Sequence, residues 1–403
     1  MRHSIFILLL LASQVLNAQF KADNVRYNTV FPEDLCKTLL ASKGYLLLDV
    51  RSPGEYDDTS SSKGLNIGHL KNAMNINITQ LPQRWKEISS YKDQPVFIYC
   101  SHSQRSRRAS RLLADSGFTH IYNINGGLTD FYNQGIQSDP CAGLQIETSV
   151  PYKIISPKQL DESGKAKSYY IIDLRSDSIF RGISTERTKA EGKFADAVNM
   201  PFEKWSATSA IMVPAKPVLL VDEFGGESPA AAKMLLDKGI KDVTIMFDGM
   251  DGWLDYATNT AGKRSVNWTR NIQYNLLPAE KFNKIVADKK EFALIDVRTK
   301  EEFGNVSKSS WQNIGQVKGA INIPSAEMKT SSALPVSKET PVVIYGFNSQ
   351  PDIFESAKWL ADQGYKSVSI LQGGIWRLRW VSHNLKGKAS LNDLVVNIPE
   401  ANQ

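Results

Sequence analysis

The sequence predicts an α/β protein made of three tandem units, each a small, mainly parallel sheet flanked by helices on both faces. Three observations carry this. Short apolar runs rich in β-branched residues alternate with helical segments along the chain. One set of landmarks recurs three times, its leading aspartates Asp49, Asp173 and Asp296 lying 124 and 123 residues apart. With 403 residues the chain exceeds one ordinary domain, and each repeat is long enough to bury its own core.

The elements follow in order. Residues 1–18 hold an early Arg2, an apolar run from Ile5 to Ala12 and a small Ala18, the composition of a secretory signal peptide cleaved after Ala18. That run is too short to anchor the mature chain in a bilayer, so an exported protein, periplasmic or secreted and without stable membrane insertion, is expected. The units are expected at 19–140, 141–264 and 265–403. Each opens with an apolar strand ending in an acid and a base: LLLDVR to Arg51, YIIDLR to Arg175 and ALIDVR to Arg298. A glycine-led segment follows, from Gly68, Gly192 and Gly315, and then a second strand ending at Cys100, Asp222 and Gly346. Helices are expected over Ser106–Gly117, Ser228–Gly239 and Asp352–Gly364, each stopped by a glycine able to take the left-handed conformation. The strands HIYNI, VTIMF and VSILQ close the units. Gly135–Pro157 and Thr258–Pro278 read as linkers and the tail after Leu391 as loosely held.

Net charge is +6, and the cations are spread over all three units. A diffuse basic balance attracts small anions and gives no reason to invoke nucleic acid. The exception is the local cluster Arg105, Arg107, Arg108 and Arg111, directly after Cys100. The cysteines are Cys36, Cys100 and Cys141. An odd count in an exported chain implies at least one thiol outside any intramolecular disulfide. A staple from Cys36 to Cys141 is compatible with domain termini that lie close together, and would leave Cys100 free. The dispersed cysteines and the absence of a histidine pair on one helical face give no metal-ligand constellation, and no cofactor is expected.

Cys100 stands at the carboxyl end of a parallel strand, where loops converge on helix N-termini and ligands bind. The loop Ser101, His102, Ser103, Gln104, Arg105 and Ser106 follows it. Backbone N–H groups in such a loop turn inward as an anion nest, and the helix dipole adds positive potential. That field lowers the pKa of a thiol and keeps it as thiolate near neutral pH, with Arg105 and His102 able to deepen the effect. Cys100 is therefore the candidate catalytic residue, and Ser101 to Ser106 the candidate substrate cradle.

The matching residues DVRSPGEY and DVRTKEEF, the segment GHLKNAMNI, the loop YCSHSQRS and the closing NINGGLTDF resemble the rhodanese-like family, in three tandem copies covering essentially the whole mature sequence. The resemblance implies sulfurtransferase chemistry without a cofactor. A cysteine takes sulfane sulfur from a small anionic donor such as thiosulfate, holds it as a persulfide and passes it to a thiol or cyanide acceptor. The C-x4-R loop, with Arg105 five positions after Cys100, is similar to that of rhodaneses, whereas the related dual-specificity phosphatases use C-x5-R. Ser101 and Ser103 depart from the arginine and glycine that many relatives carry. Asp222 and Gly346 cannot form a persulfide, so the second and third units are expected to be catalytically silent and to serve as scaffold or protein-docking surface. An active first unit also departs from familiar tandem members, which keep the cysteine in their last domain.

Simpler readings stand beside these. Cys100 as a buried structural thiol would make the chain a non-catalytic binding or regulatory protein, and a phosphate- or arsenate-handling enzyme on the same loop is a third possibility. Arg51 with Glu55 and Arg298 with Glu302 read as structural ion pairs. Arg175, facing Ile179 at the acid's position, needs another partner. Trp253, Trp376 and Trp380 read as core, and His69 as a surface or capping residue.

Overall fold

The computed structural model describes residues 27–135, 145–182, 192–206, 215–259, 266–269, 273–279, 282, 285–286, 288, 290–330, 334–348, 350–384 and 394–399. Within them lie three five-stranded sheets with all strand pairs parallel. The first unit contains β1 (Asn28–Val30), β2 (Leu46–Asp49), β3 (Met74–Asn75), β4 (Val96–Tyr99) and β5 (Ile121–Ile124), in the spatial order β1-β5-β4-β2-β3. The second repeats that order with β6 (Lys153–Ile155), β7 (Tyr170–Asp173), β8 (Val198–Asn199), β9 (Val218–Val221) and β10 (Val243–Met246). The third does so with β11 (Asn275–Leu277), β12 (Ala293–Asp296), β13 (Ile321–Asn322), β14 (Val342–Tyr345) and β15 (Val368–Leu371). The central strands β4, β9 and β14 are buried at every residue, as apolar runs covered by helices on both faces must be.

The acid and base that end each opening strand form one arrangement, three times over. The Asp49 carboxylate accepts from Arg51 Nε and Nη2, the latter at 2.7 Å, and from the Arg51 backbone N–H. Arg51 Nη2 also donates to the Gly68 carbonyl at 2.6 Å. Arg175 repeats this on Asp173 and Gly192, and Arg298 on Asp296 and Gly315. The expected pairs Arg51–Glu55 and Arg298–Glu302 are therefore corrected. Each arginine closes on the aspartate two residues before it, because the strand end holds that carboxylate within reach, and Arg175 finds its partner in the same way. Glu302 instead caps the helix Lys300–Phe303 through Thr299.

The carbonyl each arginine grips belongs to a glycine for a steric reason. Gly68 has φ +74°, and a Cβ on it would lie 2.3 Å from the Glu147 carbonyl oxygen. That contact arises because His69–Leu70 pair antiparallel with Ile146–Glu147, a ladder repeated by Lys193–Phe194 with Trp268–Thr269 and by Gln316–Val317 with Val395–Val396. The segments expected as linkers, and the tail beyond Leu391, thus each contribute a short strand that pairs back onto the preceding unit. Their apolar residues Ile146, Trp268 and Val395 pack against the cores, which periodicity over two or three residues could not reveal.

Helix α1 spans Gln104–Asp115 and starts two residues before the expected Ser106, because Ser103 takes φ +74° and turns the chain into the helix directly. Helices α2 (Ser228–Asp237) and α3 (Pro351–Asp362) start where expected to within a residue. Gly117, Gly239 and Gly364 all have φ between +87° and +89°. The first two units pack on each other: Tyr132 stacks on Phe247 at 4.6 Å between ring centroids, and a Cβ on Gly64 would lie 3.1 Å from the Gly225 carbonyl. One apolar cluster runs from Trp253 and Leu254 of the second unit to Ile295 and Phe354 of the third. Trp253 is fully buried, Trp376 half-buried against the third core, and the Trp380 side chain lies outside the described residues, as does the signal-like segment. His69 is half-buried, stacked on Tyr56 with Nδ1 on the Tyr56 carbonyl.

Gly68→Ala is expected to cost about 3 kcal/mol, combining a left-handed φ with a clash against backbone. Gly164→Ala, at φ +66° with nothing within 4 Å of the added carbon, should cost only about 1 kcal/mol. Urea denaturation of both variants measures the difference.

Candidate functional site: the loop after the central strand

Register fixes which residues are equivalent. Tyr99, Val221 and Tyr345 each pair with the aspartate of the opening strand, so Cys100, Asp222 and Gly346 occupy one position in the three units. Their carbonyls accept from Leu128, Met250 and Ile375 at 3.0, 2.8 and 3.1 Å. The glycine before each donor is obligatory: a Cβ on Gly127 would sit 2.1 Å from the Cys100 carbonyl oxygen. The closing NGG-type segment thereby presses the chain against the site residue and fixes where the loop begins.

Cys100 is the free thiol among the described cysteines, and Cys36 is disulfide-bonded; Cys141 lies outside the described residues. The Cys100 side chain is 1% exposed, between Val50, Ile98 and Ala109 of an apolar cluster and the loop above. Its sulfur lies 3.7 Å from Ser106 Oγ, which donates to Asn123 Oδ1 at 2.7 Å. Sequence reasoning missed Asn123. Its signal was weak: a polar residue inside an otherwise apolar strand, buried at 1%.

The other loop residues divide by role. The Ser103 hydroxyl donates to the Ile124 carbonyl and accepts from the Gly126 N–H, which holds a serine at a φ where glycine is usual. Gln104 is exposed. Arg105 is bound bidentate to Glu55, Nη1 to Oε2 at 2.6 Å and Nη2 to Oε1 at 2.7 Å, with Nη2 also on Ser101 Oγ at 2.8 Å. Glu55 is thus an uncounted part of the site, brought from the opening motif through the helix Pro53–Tyr56 and locked by a capping box with Ser52. Burial works against its charge, but hydrogen bonds from Arg105 and Ser52 outweigh that and bring its pKa down to about 2. His102 places Nδ1 on Ser101 Oγ at 2.9 Å. Its pKa is lowered, by desolvation where the ring meets the loop and by the neighbouring Arg105, although the residue keeps an exposed face.

The second unit displays what this loop geometry binds. The Asp222 carboxylate accepts from the N–H groups of Gly225, Glu227 and Ser228 at 2.6, 2.6 and 2.7 Å. Burial raises its pKa while these donors lower it. The same positions in the first unit are Ser103, Arg105 and Ser106, and among the described residues no acceptor pairs with the N–H groups from Ser101 through Ser106. An anion beside the Cys100 sulfur would meet donors that the second unit satisfies internally. In the third unit a Cβ on Gly346 would make only ordinary contacts, the nearest at 3.6 Å, so that site lacks a nucleophile but is not sterically closed.

Two outcomes follow. Because folding depresses the Glu55 pKa from 4.5 to about 2, its pairing stabilises the fold above pH ~4.5, and this is lost as pH falls through ~2. The stability gap between wild type and Glu55→Gln should be about 3 kcal/mol at pH 7 and close by pH ~2, read from urea melts across pH. Asp222→Ala should cost about 3 kcal/mol by orphaning buried amides, and millimolar sulfate should raise its melting temperature more than that of wild type.

A model of the rhodanese-like domain matches residues 33–134, 156–256 and 278–377. Among curated proteins, the chain is 39% identical over 104 residues to "Uncharacterized protein YqhL" of Bacillus subtilis (strain 168), covering 24% of this chain and 74% of that one. It is 28% identical over 109 residues to a "Sulfurtransferase" of Allochromatium vinosum, 27% of this chain and 92% of that one. A "tRNA uridine(34) hydroxylase" of Escherichia fergusonii is 25% identical over 126 residues, 30% of this chain, and the match spans about a third of that protein, 33%. With three family matches laid over three sheets of one topology, the chain belongs to the rhodanese-like family as a tandem array of three domains.

Proposed function

We propose that the protein is an exported, single-site sulfurtransferase. Cys100 accepts a sulfane sulfur from a thiosulfate-like donor, carries it as a persulfide and passes it to a thiol or cyanide acceptor. The observation that carries this reading is the pair of loops: among the described residues the N–H groups from Ser101 to Ser106 have no protein acceptor, and the carboxylate at the Cys100 position of the second unit fills three of the equivalent amides. A terminal persulfide sulfur is anionic and suits such donors. The Ser106 hydroxyl, steadied by Asn123, positions the sulfur beneath them. With the thiol 1% exposed, the donor gains access as the loop opens, and the second and third domains act as scaffold and docking surface. Export is supported by the signal-like segment and by the oxidised Cys36, since disulfides persist in oxidising compartments. Among the described residues no helix is long and apolar enough to cross a membrane.

The burial of Cys100 in an apolar cluster favours a second reading, a non-catalytic binding or regulatory protein whose first domain is vestigial. Intact-mass measurement after incubation with thiosulfate, mercaptopyruvate or a protein persulfide separates the two. The sulfurtransferase reading expects wild type to gain one sulfur atom from at least one donor, and Cys100→Ser to gain none. No added sulfur from any of them, with slow alkylation of Cys100, would establish the binding reading.

A further inference from the structure

We propose that the sulfane donor used at Cys100 is a thiol persulfide in preference to the thiosulfate dianion, and that the Glu55–Arg105 pair sets this preference. The inference rests on the sulfurtransferase reading and narrows its substrate class.

Between Ser101 and Ser106, Arg105 is the one residue with a permanent charge. Both of its terminal nitrogens are engaged by Glu55, at 2.6 and 2.7 Å, and the remaining contact goes to a neutral hydroxyl, Ser101 Oγ. The Glu55 side chain is 5% exposed and tied to the Ser52 backbone and hydroxyl, so the carboxylate is built into the fold beside the guanidinium. The positive charge is cancelled where it stands. His102, whose pKa is held below the usual imidazole value by desolvation and by the neighbouring Arg105, adds little.

What remains for a ligand is a set of amide dipoles. In the second domain three such donors are saturated by one carboxylate, a single unit of charge. A persulfide brings at most one unit of charge, on the sulfur to be transferred, with an uncharged sulfur behind it, and it reacts in its protonated form R–S–SH. Thiosulfate brings a second unit on its sulfonate, which finds no free cation in the loop and lies against a neutralised pair. The transfer balances without an oxidant. The Cys100 thiolate attacks the terminal sulfur of R–S–SH, the new Sγ–S bond forms as the old S–S bond breaks, and the electron pair leaves on RS⁻, which takes a proton from solvent. Sulfane sulfur changes carrier and nothing is oxidised overall.

The test uses the full chain. Second-order rate constants for loading Cys100 are measured by intact mass with thiosulfate and with cysteine persulfide. Wild type should load at least about tenfold faster from the persulfide, and either Glu55→Gln, which frees Arg105, or Ser101→Arg, which adds an uncompensated cation, should raise the ratio of the thiosulfate to the persulfide constant about tenfold. A merely structural role for Glu55 would alter both donors together. Faster loading of wild type from thiosulfate, or a donor ratio unchanged in both variants, overturns the inference and leaves the sulfurtransferase reading standing. Loading from neither donor overturns the inference, and with mercaptopyruvate also failing it overturns the sulfurtransferase reading.

Discussion

The fold depends on a buried charge clasp made three times. An arginine that is essentially fully buried is tolerable only with its charge matched, and each unit does this with the aspartate two residues earlier and a glycine carbonyl seventeen residues later, while Nη1 of Arg51 and of Arg298 stays buried without an acceptor. The clasp joins the end of the opening strand to the glycine-led segment. An asparagine on the edge strand, Asn75, Asn199 or Asn322, then bonds the carbonyls of both clasp residues. In this way one polar cluster fixes two strands and the approach to the loop, at the end of the sheet where ligands bind. Its recurrence in all three units, with or without a cysteine, marks it as architecture.

The loop built on that frame has a fixed shape and variable contents. A glycine pressed on the carbonyl of the site residue sets its start, and a helix begins within a few residues. The inward amides come from backbone, so they survive replacement of the side chain they were aimed at. In the first domain they have no protein acceptor among the described residues, and in the second they have captured a carboxylate. The third presents a glycine with room above it. Replacement of the cysteine position by aspartate or glycine therefore goes with no change of fold, and the satisfied Asp222 loop lies against Gly64 of the first domain, where it serves packing.

Charge in the Cys100 loop is equally a matter of pairing. A count of arginines near Cys100 suggests a strongly cationic site. Pairing with Glu55 removes the nearest of those charges, and Glu55 arrives there because its helix is capped by Ser52 immediately after the clasp. The same glutamate position in the third domain, Glu302, caps its helix in the same way but has no loop arginine to meet, so it stays half-buried with its carboxylate on the cap alone.

The chain alone determined the number of domains, their mainly parallel sheets, the glycine stops and the place of Cys100 at a strand end, because these follow from periodicity, backbone stereochemistry and repetition, which are written locally. Only the tertiary structure decided who pairs with whom. Arg51 belongs to Asp49, Glu55 to Arg105, Asn123 to Ser106, and the supposed linkers to strands that close each domain. Such partners are chosen by distance in space across fifty or more residues of chain, as for Glu55 and Arg105, or by which of two carboxylates a strand end holds nearer. The opening of α1 at Ser103 was hidden for a related reason, since a serine takes a left-handed φ only where hydrogen bonds to Ile124 and Gly126, residues of another strand and turn, compensate the strain.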